Sequence, residues 1–157
     1  MLKFWFTIAD NDSLIFMLEP VDRFIGLITG SRSVYSPDNG YYHEGLNILI
    51  DKSCSGFNFW VLSFVVFTYL ALKYFEKPLY KALTIPVALF CAYGLTIFVN
   101  TSRIYTSVTA QNQIINTMPE QQHIVHEAIG IIIYLSFLIL VYYIVEQFLI
   151  RYHAKLS

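Results

Sequence analysis

Charged residues are scarce in this chain: Asp, Glu, Lys and Arg make up 13% of its 157 residues, roughly half of their share in an average soluble domain. A basic excess is also missing, because the net charge is −1, and nucleic acid is therefore not an expected partner. What is present is apolar, with 56% hydrophobic and 17% aromatic residues, which is typical of bilayer-spanning segments with rings at the interface. The composition predicts an α-helical integral membrane protein that contacts lipid and forms one domain over residues 1–157.

Cysteine is rare as well, and the two cysteines are not expected to form a disulfide. Cys91 lies twelve residues before Arg103 in a predicted spanning helix, which puts it about 18 Å below the level of Arg103. Bridged Cα atoms lie within about 7 Å of each other, so Cys91 is out of reach if Cys54 lies at the surface. Cys91 is interpreted as a small buried packing residue.

Three apolar stretches are long enough to cross a bilayer, which takes about 20 residues. They cover residues 57–75, 83–99 and 124–150. A helical core with three transmembrane helices is therefore predicted over residues 53–157.

The orientation of these helices follows from the basic residues. The link at residues 73–81 carries three lysines, the tail after the third stretch is basic too, and short positive loops stay in the cytoplasm. Alternation along the three helices then puts Cys54, Arg103 and His126 at the same external boundary. The polar segment at residues 104–123 is predicted to be an external loop where a substrate is recognised.

Residues 1–52 are predicted to be an external or interfacial segment. They contain an amphipathic helix with Pro20 in its first turn and Gly30 at its end. Its apolar positions follow helical spacing: Val21, Phe24, Ile25 and Ile28. An external segment of this length normally needs an upstream helix for translocation, so a further N-terminal helix is left open.

A small β-hairpin is predicted after this helix. Residues 33–36 form its first strand, and the tetrapeptide Pro-Asp-Asn-Gly at residues 37–40 is a strong turn signal. Residues 41–50 alternate in polarity at their end and form the second strand. This strand is predicted to deliver Cys54 to the membrane edge.

Cys54, Arg103 and His126 are the candidate catalytic residues, because together they supply what acyl transfer by a thiol requires. A nearby base or cation favours the reactive thiolate, and His126 can take the proton and return it to a leaving amine. Arg103 is permanently charged and suits a thiolate or a developing oxyanion. Taken singly, each residue also has a structural explanation, as a packing thiol, an interfacial anchor or a solvated imidazole.

Three further residues are candidates for supporting roles. Asn100 shares a helix face with Arg103 and is predicted to orient its guanidinium. Gly56 permits close approach, so the peptide N–H groups around it are candidate oxyanion donors. Gly130 lies four residues after His126 on the same face and leaves room for a neighbouring helix or a substrate.

A metal site is an alternative use of the same histidine and is not favoured. His123, His126 and Glu127 form an HxxHE cluster, whose spacing can place two ligands on one helix face. No third strong ligand lies nearby in the sequence, so neither a metal nor another cofactor is expected. Like His123, the remaining histidines His43 and His153 are expected to be solvated.

The blocks that contain these residues resemble the exosortase/archaeosortase family, most closely its short exosortase K type. The resemblance rests on SCSGF at residues 53–57, NTSRI at 100–104 and HEAIG at 126–130, which are similar to the Cys, N-x-x-R and H-x-x-x-G signatures of that family. Many members of the family have more membrane helices than the three predicted for this chain.

The resemblance implies a cysteine peptidase or transpeptidase of the bacterial inner membrane with its active site on the external, periplasmic face. Its substrate partner would be the C-terminal sorting signal of a secreted protein, cleaved through a thioester. By resemblance, Cys54 is the nucleophile, His126 the general acid/base and Arg103 the stabiliser of the thiolate or oxyanion.

Two other functions stay open. A non-enzymatic membrane scaffold or transporter accessory protein would leave Cys54 unreactive and tolerate Arg103→Lys. Thiol–disulfide exchange would require a partner cysteine, and Cys91 is not a plausible one. No motif identifies the substrate, the acceptor or the oligomeric state.

Overall fold

A computed structural model of the chain describes residue 6 and residues 10–75, 78–114 and 122–154, and it includes the side chains of residues 6, 10–75, 78–110 and 128–151. The chain divides into two compact units. Unit 1 contains Met1–Gly56 and Asn100–Gly130, and unit 2 contains Phe57–Val99 and Ile131–Ser157.

The first helix of unit 1, α1 (Ile15–Thr29), starts earlier than predicted and contains Pro20 in its interior. Proline at such a position costs about 3 kcal/mol through a lost hydrogen bond and a steric clash. Met17 and Leu18 are fully buried, and burying each such side chain contributes about 1.5–3 kcal/mol. Their burial therefore offsets the proline and holds the additional turns in place.

The predicted end of α1 is confirmed. Gly30 adopts φ 69° and its N–H donates to the carbonyl of Gly26 over 2.9 Å. This left-handed stop is one that glycine adopts without steric cost.

The buried face of α1 differs in part from the predicted one. Val21 and Ile25 are buried as expected, whereas Phe24 and Ile28 are 49% and 55% exposed. The helix is rotated so that Asp22 is buried instead, because Asp22 pairs with the sheet. The exposed apolar stripe suits a helix that lies in a membrane interface.

The sheet of unit 1 is larger than the predicted hairpin. Strands β1 (Ser33–Ser36), β2 (Gly40–His43) and β3 (Ile48–Ile50) pair antiparallel in the order β1-β2-β3. The predicted turn is confirmed, since Ser36 pairs with Gly40 across it.

The predicted second strand is wrong in length, because it ends at His43 and the chain turns back to form β3. A 3-10 turn at Glu44–Leu46 is followed by Asn47 in the left-handed region, with φ 50°. Asparagine tolerates this conformation better than most residues. Tyr41 then pairs with Ile50, and β3 rather than the hairpin strand leads to Cys54.

A buried polar cluster joins α1 to the sheet. His43 is fully buried, with its Nε2 2.9 Å from Asp22 Oδ1 and its Nδ1 2.8 Å from Ser31 Oγ. The two atoms of the His43–Asp22 contact are close, but the contact does not have hydrogen-bond geometry. The expectation that His43 is solvated is therefore wrong; a buried polar side chain requires such partners.

Replacing His43 by Ala is expected to lower the thermal midpoint of the purified protein by at least about 5 °C, because it leaves a buried carboxylate without its partner. Differential scanning fluorimetry in detergent measures this change. Val34→Ala is the matched control in the same sheet, since Val34 is 72% exposed. Equal midpoints for the two variants would show that the cluster does not stabilise unit 1.

Three helices of the chain carry the membrane spans: α2 (Phe57–Tyr74), α3 (Pro78–Ile114) and α4 (Gln122–Ala154). Within the described residues, the stretches long and apolar enough to cross a membrane are Lys52–Tyr74, Pro78–Ala110 and Ala128–Arg151. The three predicted spans are thereby confirmed. Large apolar side chains such as Phe90 and Phe148 are 75% and 67% exposed, as expected of a surface that faces lipid.

The helix α3 continues far beyond the predicted second span. It runs to Ile114, so much of the segment predicted as a polar loop at residues 104–123 is helical. Residues 100–114 contain neither glycine nor proline, and polar side chains alone do not end a helix. Arg103 therefore lies within a helix rather than at the edge of a loop.

The cysteines are both free, but Cys91 does not occupy the predicted environment. It is exposed, so its interpretation as a buried packing residue is wrong. A thiol behaves as a small apolar side chain and is compatible with the lipid-facing surface of a spanning helix.

An ion pair ties α2 to α4 within unit 2. Lys73 Nζ lies 2.9 Å from Glu146 Oε1, and the hydroxyls of Tyr142 and Tyr74 donate to the same oxygen over 3.2 and 3.4 Å. A carboxylate in a spanning helix requires such donors. The cluster fixes the end of α2 next to the lysine-rich link.

Candidate cysteine active site

Cys54 lies in a 3-10 turn, Lys52–Cys54, which we call the Cys54 turn. Asp51 caps this turn: its Oδ1 accepts hydrogen bonds from Ser53 N over 3.0 Å and from Ser53 Oγ over 2.6 Å. The Cys54 N–H donates to the Asp51 carbonyl over 2.9 Å. The position of the thiol is therefore set by Asp51 through one side-chain cap and one backbone bond.

The Cys54 thiol is half-buried in unit 1. Its Sγ lies 3.8 Å from Ser53 Oγ and 3.9 Å from the carbonyl oxygen of Leu49. Arg103, whose positive charge would favour the thiolate, belongs to the same compact unit.

Asn100 connects α3 directly to the Cys54 turn. Its side chain is fully buried and its Nδ2 donates a hydrogen bond to the Cys54 carbonyl oxygen. The prediction from the sequence was a bond to Arg103, one turn further along the helix. Because Asn100 holds the backbone of Cys54, it supports the thiol itself.

Arg103 packs against Gly130 of α4. A Cβ placed on Gly130 would lie 2.8 Å from Arg103 Nε and 3.5 Å from its Cδ and Cζ. Contacts under about 3 Å between such atoms are repulsive. Glycine at position 130 therefore leaves space for the Arg103 side chain.

His126 lies in α4 one helical turn before Gly130, although its side chain falls outside the described residues. Residues four apart share a helix face, with Cβ atoms about 6 Å apart. His126 therefore lies one turn of α4 before the residue against which Arg103 packs.

The peptide groups after Cys54 differ from the predicted oxyanion donors. The Ser55 N–H donates to the Lys52 carbonyl over 3.1 Å, so it is engaged within the turn and the prediction is wrong for this group. Gly56 has φ 71°, a conformation that favours glycine. Its role is to let the chain turn sharply between the Cys54 turn and α2.

Asn11 and Gly40, which were not among the predicted site residues, contact the chain around the Cys54 turn. Asn11 accepts a hydrogen bond from the Lys52 N–H over 2.9 Å. A Cβ on Gly40 would lie 2.5 Å from the Ile50 carbonyl oxygen, so the hairpin turn approaches the chain just before Asp51. The turn signal pointed to Gly40 as a turn residue, but no sequence signal pointed to Asn11.

The HxxHE cluster receives no structural description, because the side chains of His123, His126 and Glu127 lie outside the described residues. Among the side chains that are described, no group of three His, Cys, Asp or Glu residues is arranged to hold a metal ion. The candidate site is therefore built from Cys54, Arg103 and their neighbours.

The fold and this site define a class: a multi-pass α-helical membrane protein in which the Cys54 turn and Arg103 belong to one compact unit. The family model described as transmembrane exosortase (Exosortase_EpsH) matches residues 24–143, and the chain belongs to this family. No curated protein and no solved structure gives a significant match. The family resemblance of the motifs is confirmed, and the assignment to the exosortase K type stays a prediction.

Gly130→Ala is expected to lower the rate of any Arg103-dependent reaction about tenfold, because the new methyl group displaces the guanidinium from the thiol. Gly94→Ala is the matched control, since a Cβ at Gly94 in α3 meets nothing within 4 Å. Cleavage of the natural substrate in membranes compares the two variants. Wild-type cleavage in Gly130→Ala would show that the Arg103 position is not critical.

Proposed function

We propose that this protein is a membrane cysteine peptidase or transpeptidase that cleaves the C-terminal sorting signal of secreted proteins through a thioester at Cys54. The observation that carries the proposal is that unit 1 contains both the Cys54 turn, held by Asn100, and Arg103, packed against Gly130. Membership of the transmembrane exosortase family supports the same class of reaction.

In the proposed reaction, the Cys54 thiolate attacks the carbonyl carbon of the scissile peptide bond. A tetrahedral oxyanion forms, the C–N bond breaks, and the amine leaves with a proton donated by His126. The remaining thioester is then attacked by water or by an amine, whose proton returns to His126, and the thiol is released. His126 has the required residue type and lies one turn of α4 before Gly130, against which Arg103 packs.

Arg103 contributes charge at two points of this reaction. Its guanidinium favours the thiolate before attack and offers N–H donors to the oxyanion afterwards. Asn100 keeps the Cys54 carbonyl in place while the thiol reacts. Partial burial of the site strengthens each of these interactions, because water screens them less.

The proposed location is the external face of the bacterial inner membrane. The lysines of the link at residues 73–81 and the basic tail support this orientation through the positive-inside rule. A membrane-impermeant maleimide added to intact spheroplasts tests it. Labelling of Cys54 in a Cys91→Ser background supports an external site, whereas labelling only after the membrane is permeabilised contradicts it.

The substrate class is tested with a secreted protein that ends in a short motif, a hydrophobic helix and a basic cluster. It is co-expressed with this protein, and the mass of its mature form is measured. Loss of the C-terminal signal only when the protein is present supports the proposal. Identical mass with and without it, for substrates encoded by neighbouring genes, would favour a scaffold.

A further inference from the structure

The side chain of Asn11 joins three segments that lie far apart in the sequence. It is 8% exposed, and its Nδ2 donates hydrogen bonds to the carbonyls of Pro37 and Asp38 over 3.1 and 3.2 Å. Its Oδ1 accepts a hydrogen bond from the Lys52 N–H over 2.9 Å. One amide therefore bridges the hairpin turn and the first residue of the Cys54 turn.

The chemistry of these partners explains why the residue is asparagine. The hairpin presents two carbonyl oxygens, which require donors, and Lys52 presents an N–H, which requires an acceptor. A primary amide supplies both from one short side chain. Aspartate would supply the acceptor alone, and alanine would supply neither.

The hairpin turn is a firm support for this bridge. Gly40 has φ 91°, and a Cβ there would lie 3.1 Å from the Asp51 Cα. The N-terminal segment is held as well, because the hydroxyl of Tyr35 in β1 donates to Asp12. Asn11 thus stands between two fixed elements, and its bond to Lys52 transmits their position to the turn.

The path from Asn11 to the thiol is short. Lys52 follows Asp51, the residue that caps the turn at Ser53 and accepts the Cys54 N–H. On the opposite side, Asn100 holds the Cys54 carbonyl. The Cys54 turn is therefore clamped between two asparagines, one from the N-terminal segment and one from α3.

We infer that Asn11 is a positioning residue for Cys54, acting through its hydrogen bond to the Lys52 N–H. The inference rests on the proposed function for its consequence in catalysis. Its geometric part stands on its own, since the orientation of Cys54 is measurable without a substrate. Asn11 lies outside the residues that the family model matches.

The experiment uses iodoacetamide as the probe and full-length protein in detergent, in a Cys91→Ser background so that only Cys54 reacts. The alkylation rate is followed to high pH, where its limiting value reports access to the thiolate and not its population. Four proteins are compared: the Cys91→Ser parent, Asn11→Ala, Asn11→Asp and Asn39→Ala. Asn39 is an exposed residue of the same hairpin turn and is the matched control.

Asn11→Ala is expected to raise the limiting alkylation rate about fivefold, because the half-buried thiol opens when the turn is released. Asn11→Asp loses the same two hairpin bonds but retains the acceptor for Lys52, so its rate should rise clearly less than that of Asn11→Ala. Asn39→Ala should match the parent. Thermal midpoints identify any variant that fails to fold. If Asn11→Ala fails to fold, the alkylation rates of Asn11→Asp and Asn39→Ala are compared instead.

Two outcomes would overturn the inference. If Asn11→Ala alkylates at the parent rate, the Lys52 bond does not position the thiol. If Asn11→Ala and Asn11→Asp raise the alkylation rate equally, Asn11 acts only by anchoring the hairpin. Substrate cleavage by the same variants is a separate readout: a changed alkylation rate with cleavage that does not depend on Cys54 would refute the proposed function and leave the positioning role intact.

Discussion

Cys54→Ser is expected to reduce cleavage of the sorting signal at least about 1,000-fold, because a hydroxyl is a far weaker nucleophile than a thiolate under the same activation. The substitution is nearly isosteric, and the hydrogen bonds of the Cys54 turn involve its backbone. The fold should therefore persist. Accumulation of unprocessed substrate in membranes, followed by immunoblot, measures the loss.

Cys91→Ser is the matched control for this result. Cys91 is the second free cysteine, is exposed on the membrane helix α3, and has no role in the proposed chemistry. It should process substrate at the wild-type rate. If Cys54→Ser also processes normally, the thioester is excluded and the scaffold alternative gains support.

Arg103→Lys is expected to lower cleavage about 100-fold, because a compact ammonium cannot reproduce the planar donor fork at the oxyanion. The charge is retained, so alkylation of Cys54 should fall much less than substrate cleavage. This split separates stabilisation of the oxyanion from stabilisation of the thiolate. Rates of both reactions on the same preparation provide the comparison.

Arg23→Lys serves as the control for Arg103→Lys. Arg23 forms a surface ion pair with Glu19 over 2.6 Å, and its side chain is 73% exposed; such pairs contribute little to stability. Wild-type cleavage is expected. A fully active Arg103→Lys variant would contradict the proposed role of the guanidinium and agree with the scaffold alternative.

The membrane spans were predictable because uninterrupted apolar runs are a strong physical signal. The ends of the helices were harder to predict. α3 continues to Ile114 since nothing in residues 100–114 breaks a helix, whereas hydropathy marks only where the side chains become polar. α1 starts before Pro20 because burial of Met17 and Leu18 outweighs the local penalty.

Strand β3 was not predicted, because its pairing with β2 depends on the backbone conformation of one residue. Asn47 adopts φ 50°, which reverses the chain and lets β3 pair with β2. A period-two pattern predicts extended chain on both sides of this residue. It does not indicate that the two stretches face each other.

The family predicted from the motifs is confirmed by the family match, and the roles of the site residues stay predictions from residue types and topology. Their contacts were not predictable. Gly130 was expected to leave room for a helix or substrate, and it accommodates Arg103. The hydrogen bond from Asn100 to the Cys54 carbonyl was not predicted, because it depends on how two distant segments pack.

The contacts of residues outside the motifs were even harder to predict. Asn11 and His43 are ordinary polar residues in the sequence, and their partners lie far along the chain. Only the folded unit shows that one holds the Cys54 turn and that the other is buried between α1 and the sheet. Long-range pairing of this kind has no local sequence signature.

The central proposal, a thioester at Cys54, is tested most directly by trapping the intermediate. Membranes containing the protein and its substrate are quenched in acid, digested, and analysed by mass spectrometry for the peptide that contains Cys54. We expect the N-terminal part of the substrate to be attached to Cys54 through a bond that hydroxylamine cleaves at neutral pH. A substrate that is processed while Cys54 carries no acyl adduct, under conditions that preserve a control thioester, would contradict it.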